Sequence, residues 1–296
     1  MNFDNIYILE DRGILFVSGS DSKLFLQNLI TNDINKINDQ NTCFASLLTP
    51  QGKFLYDFII AKHKTGYLID CEKNQTKELM AQLNIYKLRS KVEITNLSNE
   101  FVVAAFEHQR FLSFKEAKDI NGYTFKYRED IIFLDPRHKK LGGRLIINIE
   151  KLYLSLKKLK FKVTEPQKYY DFSFQLGIPQ KNMKKLAHKI FGIECNFEEL
   201  NGIDFKKGCY VGQENTARMK LKDKLVKRLF PIEVIRGNIN EKENIFIHET
   251  EIGKILIDER YPFALIKYKN DKFDFNLIYN TINAEIKIKK PNWIND

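Results

Sequence analysis

Residues Phe205–Arg218 read FKKGCYVGQENTAR. Lys206 and Lys207 run into Gly208 and Cys209, and Tyr210, Gly212, Gln213 and Glu214 follow at once. Cationic neighbours favour a thiolate, and a helix N-terminus just downstream would favour it further. The flanking glycines let another backbone or a flat ligand approach closely. Glu214 and Arg218, at i and i+4, share one face of the helix expected over Gly212–Met219. The same residues also read as a tight turn feeding an ordinary helix, with a surface ion pair and a packed cysteine.

Moving towards the N-terminus, Lys53–Ala61 alternates between two faces after the turn Thr49-Pro50-Gln51-Gly52. Asp57 shares its face with Leu55, Ile59 and Ala61, where a carboxylate is costly unless something pairs with it. Asp57 is therefore a candidate binding group; an edge-strand acid facing solvent is the other reading. Gly13–Ser18 reads as a buried strand, and Phe25, Leu26, Leu29 and Ile30 as the inward face of a helix capped by Asp21. Further strands are expected at 67–71, 101–106, 122–127, 131–134 and 144–149, with helices over 74–83 and 150–160. This alternation predicts an α+β lobe of antiparallel sheets with helices on one side. From Leu225 onward short alternating strands take over: Ala284, Ile286 and Ile288 face one way, Glu285, Lys287 and Lys289 the other. The division expected is 1–223 and 224–296, with the boundary at Asp223 or Lys224.

Composition excludes several classes. The 296 residues suffice for two or three cores. No apolar run reaches the ~18 residues of a membrane helix, and the opening MNFDNIYILEDRG lacks signal-peptide order, so a cytoplasmic protein is expected. Cys43, Cys71, Cys195 and Cys209 are scattered without a C-x-x-C, which argues against a dedicated zinc or cluster site. The net charge of +10 invites a nucleic-acid partner, but the lysines are diffuse and no recognition motif accompanies them. A modest basic field suits an anionic ligand equally well.

The run Lys207–Glu214, KGCYVGQE, with Arg218 after it, resembles the signature of the YgfZ/IBA57 family. That family is the folate-binding, iron–sulfur-protein-maintenance branch of the aminomethyltransferase (glycine cleavage T-protein) superfamily. Weaker resemblances lie at 19–33 (Gly19, Asp21, Thr31, Asp33), 51–61, 86–92 (Leu88, Arg89, Val92) and 174–197 (Gly177, Ile178, Pro179, Glu194). The resemblance implies aminomethyltransferase-like folate-binding lobes followed by a small C-terminal β-barrel. It implies tetrahydrofolate or another reduced folate as ligand, and iron–sulfur enzymes or cluster-assembly proteins as partners. Asp57 and Glu194 would grip the pterin, Arg218 and nearby basic groups would meet the glutamate tail, and Tyr210, Gln213, Lys207 and Arg89 would complete the site. Cys209 would be the reactive thiol. Glu194 also reads as a helix N-terminal acid, and Arg89 as a loop pin. Two positions depart from the pattern: Tyr56 where an acid pair is usual, and Ser173 where an arginine is usual. A one-carbon transferase is the rival reading, against which Tyr56 weighs, and the residues alone name no reaction.

Overall fold

The computed structural model describes residues 4–221 and 225–294, so the boundary expected at Asp223 or Lys224 lies outside the described residues. The chain falls into two compact units that are each discontinuous in sequence. The first takes residues up to Leu47, then Tyr56–Tyr169 and Leu200–Val211; the second takes Leu48–Leu55, Tyr170–Glu199 and Gly212 onward.

The first unit runs β1 (Asn5–Leu9), β2 (Arg12–Ser18), α1 (Ser22–Leu29), β3 (Cys43–Leu48), β4 (Phe54–His63), β5 (Gly66–Glu72), α2 (Thr76–Lys87), β6 (Glu93–Asn96) and β7 (Phe101–Phe106). It continues with α3 (His108–Leu112), β8 (Thr124–Tyr127), β9 (Asp130–Leu134), β10 (Gly143–Asn148), α4 (Leu152–Lys158) and β11 (Lys162–Thr164). These strands make two sheets, ordered β3-β4-β5-β2-β6 and β11-β1-β7-β10-β9-β8. Pairing is antiparallel except for β1 with β11. The β1 and β11 strands and the short α3 escape a reading of periodicity, because each is too short to show one.

Each sheet carries helices on one side. Leu15, Val17, Phe58, Ile60, Ile69 and Cys71 of the first pack with Phe25, Leu26 and Leu29 of α1 and Leu79 and Leu83 of α2. Ala104, Phe106, Ile132, Leu134, Leu145 and Ile147 of the second pack with Phe111 of α3 and Leu152 and Leu156 of α4. Because successive side chains alternate across a strand, the intervening residues face the other sheet. The β2 and β7 strands accordingly touch, and the His63 and Phe101 rings meet at 5.8 Å.

That inner layer holds charge. Arg12 Nε donates to Asp70 Oδ1 at 2.6 Å, and Arg144 Nη1 donates to Asp70 Oδ2 at 2.6 Å. Arg144 Nε also donates to Asp135 Oδ2 at 3.0 Å, and its Nη2 to the Tyr169 hydroxyl at 3.2 Å. Arg137 closes a fork on Asp135 at 3.0 and 2.7 Å. All five charged groups are buried. Burial alone would raise the Asp135 pKa, but Arg137 and Arg144 outweigh it and hold the group at about 2.

The second unit contains α5 (Pro166–Gln175, entering from Tyr170) and α6 (Gln213–Leu221). It ends in β12 (Arg228–Gly237), β13 (Asn244–Ile247), β14 (Thr250–Ile257), β15 (Phe263–Ile266), β16 (Ile278–Asn280) and β17 (Ala284–Ile288). These six strands close a barrel in the order β12-β15-β14-β13-β16-β17, with Ala284, Ile286 and Ile288 in its core as their alternation predicts. Where Ser173 replaces an arginine, its hydroxyl donates to Ile178 O and accepts from Gln180 Nε2, both at 2.7 Å. Among the described residues no helix is long and apolar enough to cross a membrane, and no group of three or more His, Cys, Asp or Glu could hold a metal ion.

Replacing Arg144 by Met should lower stability at pH 7 by about 3–5 kcal/mol, because it strips a buried cation from two buried carboxylates. Asp135 has a folded pKa of about 2, below its usual 3.8. Its contribution is therefore full above the usual value and is lost as pH falls through about 2. Urea unfolding between pH 5 and pH 2 should show that acid limb in the parent and a shallower one in Arg144→Met.

Candidate functional site

The signature segment does structural work that its sequence does not announce. Lys207 is only 8% exposed, and its ammonium donates to Gln27 O (2.7 Å), Ile30 O (2.6 Å) and Asn32 O (3.0 Å). These carbonyls lie at and just past the C-terminal end of α1, which has no basic residue in its own last turn. A cation there satisfies orphan carbonyls and the negative end of the helix dipole. Val211 N–H donates to Asn28 O at 3.1 Å beside it. All three ammonium protons are spent on backbone, which corrects the expectation that Lys207 meets a ligand. Burial lowers the Lys207 pKa to about 8, and the groups pulling it back up are Asp33, Cys43 and Asp204.

Cys209 is exposed, whereas Cys43, Cys71 and Cys195 are buried. Burial pushes the Cys43 and Cys71 thiols up to about 12. Lys207 acts electrostatically on one of these buried thiols, Cys43 from the strand β3. Tyr210 is buried, with the Lys207 ammonium 4.9 Å from its ring centroid. The helix expected from Gly212 begins at Gln213, four residues beyond Cys209.

The two glycines of the motif divide in role. Gly208 has open space where a side chain would go. Gly212 has a φ of +83°, and a Cβ there would stand 2.4 Å from Thr49 O, so only glycine lets the Thr49–Gly52 turn sit this close. Asn215 Nδ2 fixes that turn further by donating to Gln51 O at 2.8 Å.

Asp57 lies in β4 on the inner layer and is 8% exposed. Among the described residues, no group beyond its own backbone N–H donates to its carboxylate. Burial raises its pKa; Arg12 and Arg137 pull it down. Tyr56, which replaces the family's acid, is half-buried against the core under α1 and α2. Arg89 is exposed after α2. Asp21, expected to cap α1, makes no such bond: its Oδ2 accepts from Lys91 N–H at 2.7 Å and pins the 86–92 segment instead.

In the second unit, Glu194 is 7% exposed and sits on the turn Gly192–Cys195. Its Oε2 accepts from Phe191 N–H at 2.8 Å, so the capping role considered from sequence is realised and engages one carboxylate oxygen. Burial raises its pKa, against the Phe191 bond and Lys53, whose ammonium lies 3.6 Å over the Phe191 ring. Gln213 is half-buried at the start of α6, and Glu214 and Arg218 are exposed along it. The candidate residues therefore divide, with Asp57, Arg89, Lys207, Cys209 and Tyr210 in the first unit and Glu194, Gln213 and Arg218 in the second. Sequence reading missed Arg12, Arg137 and their anchors around Asp57. The available signal was a charged residue inside an apolar strand, as at Asp70 in YLIDC and Arg144 in GRLIIN.

Lys207→Met should cost about 2–4 kcal/mol by leaving three carbonyls short of a donor. It should leave the iodoacetamide labelling rate of Cys209 unchanged in protein that remains folded. Chemical denaturation and peptide mapping measure the two effects, and Cys209 should label well before the three buried cysteines.

No protein-family model matches the chain. Among curated proteins it is similar to the iron-sulfur cluster assembly factor IBA57 homolog, mitochondrial, of Dictyostelium discoideum, 29% identical over 76% of this chain and 61% of that protein. The Neurospora crassa homologue is 31% identical over 75% of this chain and 52% of its own length. The Mus musculus factor is 27% identical over 76% and 65%. The chain thus spans about half to two thirds of the length of these relatives. Among solved structures, the glycine cleavage system aminomethyltransferase T from Bartonella henselae superposes with a TM-score of 0.75 over 98% of this chain and 86% of that one, at 11% identity. Over three quarters of its length the chain is thus similar in sequence to iron-sulfur cluster assembly factors, and its fold is that of the aminomethyltransferase T structure.

Proposed function

We propose that this protein takes part in iron–sulfur cluster assembly or repair, and that it does so as a reduced-folate-binding accessory protein. The curated relatives are named as iron–sulfur cluster assembly factors, which supports the first part. The observation that carries the second is Asp57: a buried carboxylate that, among the described residues, no neighbouring side chain donates to. Burying such a group costs the fold, and such a cost is retained where a ligand supplies the missing donors. The residues fit a reduced folate in kind, since the pterin edge offers N–H donors and the tail offers carboxylates. In the first unit Asp57 accepts from the ring and the exposed Arg89 is a cation for the tail; Glu194 and Arg218 are groups of the same two kinds in the second unit. Cys209 is the exposed thiol that would act on a partner, and the cytoplasm is the proposed place of action.

Tetrahydrofolate at 100 times its Kd should add about 2.7 kcal/mol of stability. Asp57→Asn should weaken that binding by about 1–3 kcal/mol, the cost of an unmet hydrogen bond. Calorimetry showing no heat with any tetrahydrofolate species at millimolar concentration rejects the folate reading. Cys209→Ser should fold and bind folate normally yet fail to support iron–sulfur enzymes in cells; full complementation would assign the thiol to the surface alone.

A further inference from the structure

The surroundings of Asp57 say more about what can bind there than the carboxylate does by itself. Ile59 pairs with Asp70 across β4 and β5, and Asp57 lies two residues earlier, on the same face. Arg12, on β2, is anchored to that Asp70 through Nε at 2.6 Å and through Nη2 to Asp70 O at 2.8 Å. From the loop after β9 comes Arg137, 5.6 Å from the Phe44 ring of β3, the neighbour of β4, and forked onto Asp135, which Arg144 holds in turn. Glu72 is a further buried carboxylate of this layer, opposite Arg12 in the β2–β5 register. Arg12 and Arg137 both act electrostatically on Asp57, while Asp70 opposes them. Neither guanidinium hydrogen-bonds the Asp57 carboxylate, so they supply field without occupying its lone pairs.

Resting on the folate-binding reading, we infer that Arg12 and Arg137 are specificity-determining residues that make the Asp57 site select a neutral N–H donor and reject a cationic one. A protonated amine or ring entering here would find one carboxylate not already hydrogen-bonded by an arginine, Asp57, and face two guanidiniums whose acids, Asp70 and Asp135, are shared with the third guanidinium of Arg144. Buried charges interact far more strongly than they do in water. A neutral amino or amide N–H makes the same hydrogen bond without that repulsion. The arginines cannot swing aside, because Asp70 and Asp135 hold them and those acids are shared with Arg144. The chemistry selected is that of a 2-amino-4-oxo ring, and the chemistry excluded is that of a basic amine or a ring that protonates on pairing with an acid.

The test compares tetrahydrofolate with its 2,4-diamino counterpart, which keeps the glutamate tail but carries a ring that protonates readily. Calorimetry at pH 6 and pH 8 on the full chain should show tetrahydrofolate binding at least about tenfold tighter, with the larger gap at pH 6. Arg137→Gln should narrow that ratio, and Arg137→Lys, which keeps the charge, should retain it. If Arg137→Gln does not fold, the parent ratio and its pH dependence decide. Equal or tighter binding of the diamino compound by the parent overturns the inference while leaving folate binding intact. An unchanged ratio in folded Arg137→Gln does the same. Absence of binding by both compounds removes the folate reading and this inference with it.

Discussion

The first unit depends on what lies between its two sheets. A face-to-face sandwich is ordinarily filled with apolar side chains, yet here Arg12, Asp70, Arg144, Asp135 and Arg137 form a chain of buried ion pairs across the gap. Such pairs contribute little net stability against apolar replacements of the same shape, because desolvation offsets most of the attraction. Their effect is specificity of arrangement. Arg144 binds Asp70 of β5 and Asp135 just past β9, so β10 has one register against β9 in which both carboxylates are met. A slip of one residue would turn Arg144 towards α3 and α4 and strand both acids.

The outline of this architecture is legible in the sequence because it is local. The alternation of Phe54–Ala61 and of Ala284–Lys289, and the i, i+1, i+4 spacing of Phe25, Leu26 and Leu29, each fix which side of an element is covered. Asp57 stood out for the same reason, as a charge among aliphatics. The ion-pair chain was not legible, since Arg12, Asp70 and Arg144 sit in three strands up to 74 residues apart from their partners, and pairing is set by topology. Only Asp135 and Arg137, two apart, offered a local clue.

Lys207 shows the opposite hazard. Adjacency in sequence draws attention to Lys207 as a neighbour of Cys209, and does not reveal that its ammonium is held by three backbone carbonyls. The ammonium turns instead to the end of α1, and its electrostatic neighbour is a buried cysteine from β3. Much of the KGCYVGQE string is explained by this buckle and by the turn that Gly212 admits. Gly208, Cys209 and Glu214, all exposed, are the members that packing does not account for.

The clamp has a consequence for biosynthesis. Its donor lies 177 residues downstream of the Ile30 carbonyl it holds. A nascent chain leaving the ribosome therefore carries both sheets of the first unit, with the end of α1 open to solvent, until the signature segment emerges. Contacts of this sequence separation form late and slowly. Because the first unit is complete only at Val211, and the second has already contributed Leu48–Leu55, neither can be released as one contiguous fragment. Translation pauses, proteolytic nicking or gene truncation ahead of Lys207 would leave the carbonyls at the end of α1 without this donor.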